Sequence, residues 1–99
     1  MPRKPRFEWD DIKDLQNERK HGVDFYAAQH AFFDPNRVIL EDTQHSSPRE
    51  KRFFCLGYDA SKQGILTVRF TYRIYAIRIF GAGYWRKGRK IYAQTHSIS

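Results

Sequence analysis

The chain has 99 residues with 18 Lys and Arg against 11 Asp and Glu, a formal net charge of +7. That length admits one modest core and not two, while 40% hydrophobic and 16% aromatic residues exclude a disordered basic tail. No acidic residue follows Asp59, so the positive charge is concentrated in Lys62, Arg69, Arg73, Arg78, Arg86, Lys87, Arg89 and Lys90, whereas the first 59 residues are nearly balanced.

Phe7-Glu8-Trp9 alternates apolar with polar and reads as a short strand that stops at a helix cap, Asp10-Asp11. Asp11 to His21 has a helical composition, closed by Gly22 where a left-handed cap is needed. Its apolar stripe is thin, so the helix is expected to lie partly exposed, with Ile12 and Leu15 touching the core and Asn17, Lys20 and His21 free to face elsewhere. Asp24 caps a second helix with Phe25, Ala28 and Phe32 at helical spacing, ended by Asp34-Pro35-Asn36. Val38-Ile39-Leu40 is a brief β-prone run, Thr43 to Glu50 a polar loop, Arg52 to Tyr58 a strand, and Asp59 to Gly64 a hairpin connection.

Leu66, Val68, Phe70 and Tyr72 alternate with Thr67, Arg69, Thr71 and Arg73, which puts Arg69 and Arg73 on one face of a strand. Parity switches at Ile77 and Ile79, so a turn belongs near Arg73-Ile74-Tyr75 and a further strand runs through Phe80. After Gly81-Ala82-Gly83 the tail from Tyr84 is either a short basic helix or an extension over the sheet. The order predicts an α+β fold: a short N-terminal strand, two helices, then a curled antiparallel sheet with a basic C-terminal tail and the helices on one side. Residues 1–99 make a single domain with its core over 7–92 and flexible ends at 1–6 and 93–99.

Cations interleaved with aromatic residues in the second half suit a polyanion with stackable rings, hence nucleic acid and above all unpaired RNA. A solvated basic face is the plainer alternative. No zinc spacing, phosphate loop or cofactor motif occurs. No apolar stretch fits a signal peptide or a membrane span, and the lone Cys55 sits in an apolar run, so a reduced cytoplasm is the expected home.

Cutting a bound RNA without metal, which composition does not itself imply, would require a base for the 2′-OH, positive charge at a crowded phosphate and an acid for the leaving oxygen. Arg73 and Arg78 are the first choices for the phosphate, with Arg69 in the same patch. His21 beside Lys20 can move protons near neutrality or simply favour the helix C-terminus. Glu50 acts as a base or, the better choice, holds Arg52 in place. Tyr84 and Trp85 either stack bases beside Arg86 and Lys87 or anchor the tail; Trp85 is expected to pack, while Tyr84 and Tyr92 keep polar tips in water. Trp9, Phe25, Phe32, Phe33 and Phe54 are assigned to the core.

Phe7-Glu8-Trp9-Asp10, Lys13, Asn17, Lys20-His21-Gly22-Val23 with Phe25 and Ala28, Glu50-x-Arg52-Phe53 leading to Gly57, Thr71-x-Arg73 and Ile77-Arg78-Ile79 together resemble the BrnT family of RelE-like toxins. The resemblance implies a RelE-like fold and a metal-independent endoribonuclease that inhibits translation. It implies a ribbon-helix-helix antitoxin as partner and operator DNA reached only through that antitoxin. Within that pattern His21, Glu50, Arg52, Arg73 and Arg78 are the catalytic candidates, and Lys20, Arg69, Tyr84, Arg86, Lys87, Arg89 and Lys90 the RNA-binding ones. Gly81 and Gly83 stand where the family pattern sets serine and arginine. Either Arg86 or Lys87 takes over, or the chain is a catalytically silent regulatory subunit of the same fold.

Overall fold

Strand β1 (Arg6–Glu8) leads into helix α1 (Asp11–His21), the short helix α2 (Phe25–Ala28) and a 3-10 turn over Gln29–Phe33. Strands β2 (Val38–Glu41), β3 (Arg52–Asp59), β4 (Gly64–Tyr72) and β5 (Ala76–Gly83) follow, then helix α3 (Arg86–Thr95). These elements belong to a computed structural model describing residues 6–62 and 64–97. Gln63 of the expected hairpin connection, and residues 1–5 and 98–99 of the expected flexible ends, lie outside the described residues.

Aspartates start the first two helices. Asp10 accepts the Lys13 N–H at 3.0 Å and Asp24 the Ala27 N–H at 2.7 Å, each pairing a donor that a helix start leaves unmet. Gly22 closes α1 at φ 72°, with its N–H on the Glu18 carbonyl at 2.8 Å. The second helix tightens into the 3-10 turn after Ala28. Ala31 is buried and Phe32 packs on the core, but Phe33 is turned outward and is 62% exposed, so it is not the core residue expected.

One five-stranded sheet runs in the order β1-β5-β4-β3-β2. Strands β2 to β5 form an antiparallel meander, whereas β1 lies parallel to β5 with Glu8 beside Arg78. The sheet is therefore mixed and open, not the curled antiparallel one expected, because the meander brings β5 back in the direction of β1. Leu66, Val68, Phe70, Ile79 and Ala82 face Val23, Phe25, Ala28 and Ala31 in the core. Helix α3 covers the other face, with Gly88 buried against Thr67 and Leu56. Helices thus lie on both sides of the sheet, and the tail from Tyr84 is mainly the helical alternative.

Helix α1 occupies the edge of β5 beyond the end of β1. Asn17 Nδ2 donates to the Ala82 carbonyl at 2.9 Å and to the Val23 carbonyl at 2.8 Å, and its Oδ1 accepts the Ala82 N–H at 3.2 Å. The carboxamide thereby replaces the peptide of a missing neighbouring strand. Asp14, Asn17 and His21 form the inward stripe of the helix, while Ile12 and Leu15 are 66% and 56% exposed. The expected placement is thus reversed for Ile12 and Leu15, which face outward, and for Asn17 and His21, which face inward. A sheet edge presents backbone donors and acceptors, and polar side chains satisfy them where aliphatic ones would not.

Two buried carboxylates fasten the C-terminal segment. Tyr84 donates its hydroxyl to Asp59 at 2.9 Å, and Tyr92 donates to Asp34 at 2.6 Å, so neither tip is left in water as expected. Asp59 also accepts from the Ser61 N–H and hydroxyl, and Asp34 from the N–H groups of Tyr58 and Asn36. Burial alone would raise both carboxyl pKa values; the donated hydrogen bonds outweigh it and hold each below the ordinary 3.8. Burial and then the carboxylate partner push the Tyr92 hydroxyl up to about 12.

Removing the Asn17 carboxamide in Asn17→Ala should lower the unfolding free energy by about 2–3 kcal/mol, measured by urea denaturation, because it strands both backbone groups of Ala82. The depressed carboxylates stabilise the fold fully above the unfolded value of 3.8, and that stabilisation disappears as pH falls through their lower folded values. Urea midpoints should therefore hold down to about pH 5 and fall below it. Asp59→Asn should start lower at neutral pH and decline less steeply in acid.

Candidate active site

A cleft of about 340 Å³ opens between α1 and the sheet face that carries α3. Helix α1 contributes Lys13, Gln16, Asn17, Lys20 and His21 to it; β3 contributes Arg52 and β4 Arg69. Phe80 and Gly81 form the floor, and Trp85 a wall. The floor arises from a slip in the β4–β5 pairing, which passes from Arg69–Gly81 to Phe70–Ile79 and leaves Phe80 as the extra residue of a bulge. Among the described residues no carboxylate lines this cleft, while four Lys and Arg side chains and one imidazole do.

Arg52 is held from two directions. Its Nε donates to Glu50 at 2.9 Å, and its guanidinium carbon lies 4.2 Å from the centre of the Phe80 ring. The Lys13 ammonium is 5.7 Å from the same ring. An aromatic face orients a cation without neutralising it, so charge remains available to a ligand. The terminal nitrogens of Arg52 have no partner among the described residues, and a guanidinium offers them as a planar fork to phosphate. Glu50 also binds Arg73 at 3.2 Å, so a single carboxylate ties the two arginines together. The sequence expectation that Glu50 positions Arg52 agrees with this geometry.

The structure brings His21, Lys20, Arg52 and Arg69 into the cleft but leaves the other candidates outside its lining. Arg78 shares the face and the register row of Arg52, each being paired with Thr71, yet it is bound to Glu8 at 2.9 Å. Arg73 lies toward the β4–β5 turn with Glu50. Tyr84 is committed to Asp59. Trp85, the residue that precedes α3, packs edge-on to His21 with ring centres 5.2 Å apart. Arg86, Lys87, Arg89 and Lys90 are exposed on the first turns of α3, beginning where Trp85 leaves the cleft. Cations in the first turn of a helix oppose its dipole, so Arg86 and Lys87 are not there to stabilise α3.

Phe80 was not among the sequence candidates, Lys13 entered only as an element of the family pattern, and Asn17 only as such an element and as a residue free to face away from the core. Lys13 and Lys20 are seven residues apart on a helix, which places them on one flank; that spacing was a usable signal. The bulge that exposes Phe80 left no such trace. The glycines at 81 and 83 have different surroundings. A Cβ at Gly81 would sit 3.7 Å from Arg69 Cδ, an ordinary contact, whereas one at Gly83 would sit 2.5 Å from the Trp85 indole. The indole thus fills the space that a side chain at position 83 would need.

Among the described residues no helix is long and apolar enough to cross a membrane. No curated protein matches the chain. A family model described as the ribonuclease toxin BrnT of type II toxin–antitoxin systems matches residues 9–88, a span that holds every residue lining the cleft. On that match the chain belongs to the BrnT family of ribonuclease toxins.

Proposed function

We propose that this chain is a RelE-like, metal-independent endoribonuclease that inhibits translation by cutting RNA in the cleft beside α1. A cytoplasmic ribbon-helix-helix antitoxin restrains it and links it to operator DNA. The observation that carries this is the gathering of Lys13, Lys20, Arg52 and Arg69 around His21 with no carboxylate in the described lining. Cleavage through the 2′ oxygen needs positive charge at a phosphate that becomes crowded and more anionic. Arg52 and Arg69 meet its non-bridging oxygens, His21 moves the proton, and Lys13 and Lys20 take flanking phosphates.

Glu50 and Arg73 act through Arg52 as positioning residues. Arg86, Lys87, Arg89 and Lys90 extend the track for the RNA backbone along α3, with Trp85 offering a ring at its start. Arg78, neutralised by Glu8, and Tyr84, bound to Asp59, stand outside the reacting centre. The donor set supports metal independence, because hard divalent cations take carboxylate oxygens and this lining would repel them. The single domain is proposed to span residues 1–99.

A catalytically silent nucleic-acid-binding subunit is the alternative that one observation favours. His21 is the sole imidazole or carboxylate in the described lining, and the nearby Glu50 is engaged by two arginines.

Purified protein incubated with total RNA in excess chelator separates these. The nuclease leaves fragments, and the fragments vanish when the antitoxin is added; intact but bound RNA selects the silent subunit. Arg52→Ala should lower kcat/KM by about 10²–10³ while the thermal midpoint is retained. Arg78→Ala should stay within a few-fold of the parent. The opposite ranking would move the centre to the Glu8–Arg78 end of the sheet.

A further inference from the structure

Helix α1 turns its apolar side chains away from its own protein. None of its residues is buried, Ile12 and Leu15 are 66% and 56% exposed, and they adjoin on the helix surface at a spacing of three. Helix α2, tied to α1 by the Phe25 N–H on Asp14 at 2.7 Å, exposes Tyr26 to 71%. Single exposed apolar residues need no explanation. Here, however, Ile12 and Leu15 adjoin the flank of the helix that carries Lys13 and Lys20 into the cleft, with Gln16 between the two stripes at 100° per residue.

We propose that the antitoxin docks across this outward face of α1, setting apolar side chains of an amphipathic segment on Ile12 and Leu15 and acidic ones over Lys13 and Lys20. The proposal rests on the toxin reading, which supplies a protein partner. Charge complementarity selects the occupant: the adjoining cleft holds four Lys and Arg side chains and no carboxylate among its described lining residues, so a covering segment must be acidic. A second copy of this chain is the poorer fit. Two-fold pairing through α1 would bring Lys13 and Lys20 of both copies together, on a chain whose net charge is already +7. An aliphatic pair likewise offers nothing to a phosphate backbone. One segment lying across α1 would both gain apolar contact and close the mouth of the cleft, so inhibition needs no change of fold.

The test uses the ribbon-helix-helix protein encoded beside the toxin gene, titrated into the full chain by calorimetry and by inhibition of RNA cleavage. The double variant Ile12→Gln, Leu15→Gln should keep the parent's thermal midpoint and cleavage rate but bind the antitoxin about a hundredfold more weakly, as loss of central apolar anchors does. Ile74→Glu, at the β4–β5 turn where Ile74 is 89% exposed, is the control and should change neither. Unaltered antitoxin binding by the double variant overturns the proposal. So does loss of binding with Ile74→Glu alone, or sedimentation showing that Ile12 and Leu15 hold a toxin dimer. Failure of the parent to cut RNA would instead overturn the nuclease assignment, while the binding comparison still decides where the antitoxin sits.

Discussion

The geometry of the cleft depends on one side-chain amide. Strand β1 pairs with β5 only as far as Glu8 and Arg78, and β5 then continues with an unpaired edge. Asn17 meets that edge with both halves of its carboxamide, so α1 is fastened to the sheet by hydrogen bonds to backbone and not by apolar packing. Fastening of this kind is directional. It fixes the rotation of the helix about its axis, and with it the flank on which Lys13 and Lys20 emerge. It also frees Ile12 and Leu15 from the core, so the inner polar bond and the outer apolar surface are two consequences of one constraint.

Gathering like charges costs free energy unless something holds them without cancelling them. Two devices meet that need around Arg52. Glu50 is shared between Arg52 and Arg73, so one negative charge orients two positive ones and a net positive charge remains. Phe80 supplies a ring face to Arg52 and lies near Lys13, contributing on the order of 0.5–1 kcal/mol per contact at such exposed sites. By contrast, Arg78 has a carboxylate partner of its own in Glu8. The difference between a shared and a private carboxylate separates arginines that alternation along the sequence treats alike.

Much of the framework was legible in the residues: the aspartate caps, the Gly22 closure, the strand with Leu66, Val68 and Phe70 inward, and the turn near Ile74. These follow from local rules of period and capping. What escaped was set by tertiary contacts. The inward stripe of α1 is polar because it faces a strand edge, and no pattern within residues 11–21 announces that edge. Strand β1 is parallel to β5 because of how a distant meander returns. Phe80 reaches the cleft because the pairing slips by one residue, and Tyr84 and Tyr92 turn inward because buried carboxylates await them. His21, Lys20, Arg52 and Arg69 were legible as candidates by residue type; their convergence was not.

The glycines at 81 and 83 look like a loss when the sequence is set beside the family pattern, yet their surroundings give them work. Arg69 pairs with Gly81 across the β4–β5 ladder, and its side chain passes over the glycine, where an ordinary Cβ contact would be the nearest obstacle. Trp85 lies over Gly83 so closely that its indole and any side chain at 83 exclude each other. The same indole meets His21 edge-on and forms the cleft wall. An arginine at 83 would therefore displace the tryptophan that bounds the cleft, while Arg69 already brings a guanidinium into it from the adjacent strand. In the proposed nuclease the glycines mark a redistribution of groups around one phosphate site, with β4 supplying the cation and Trp85 the wall.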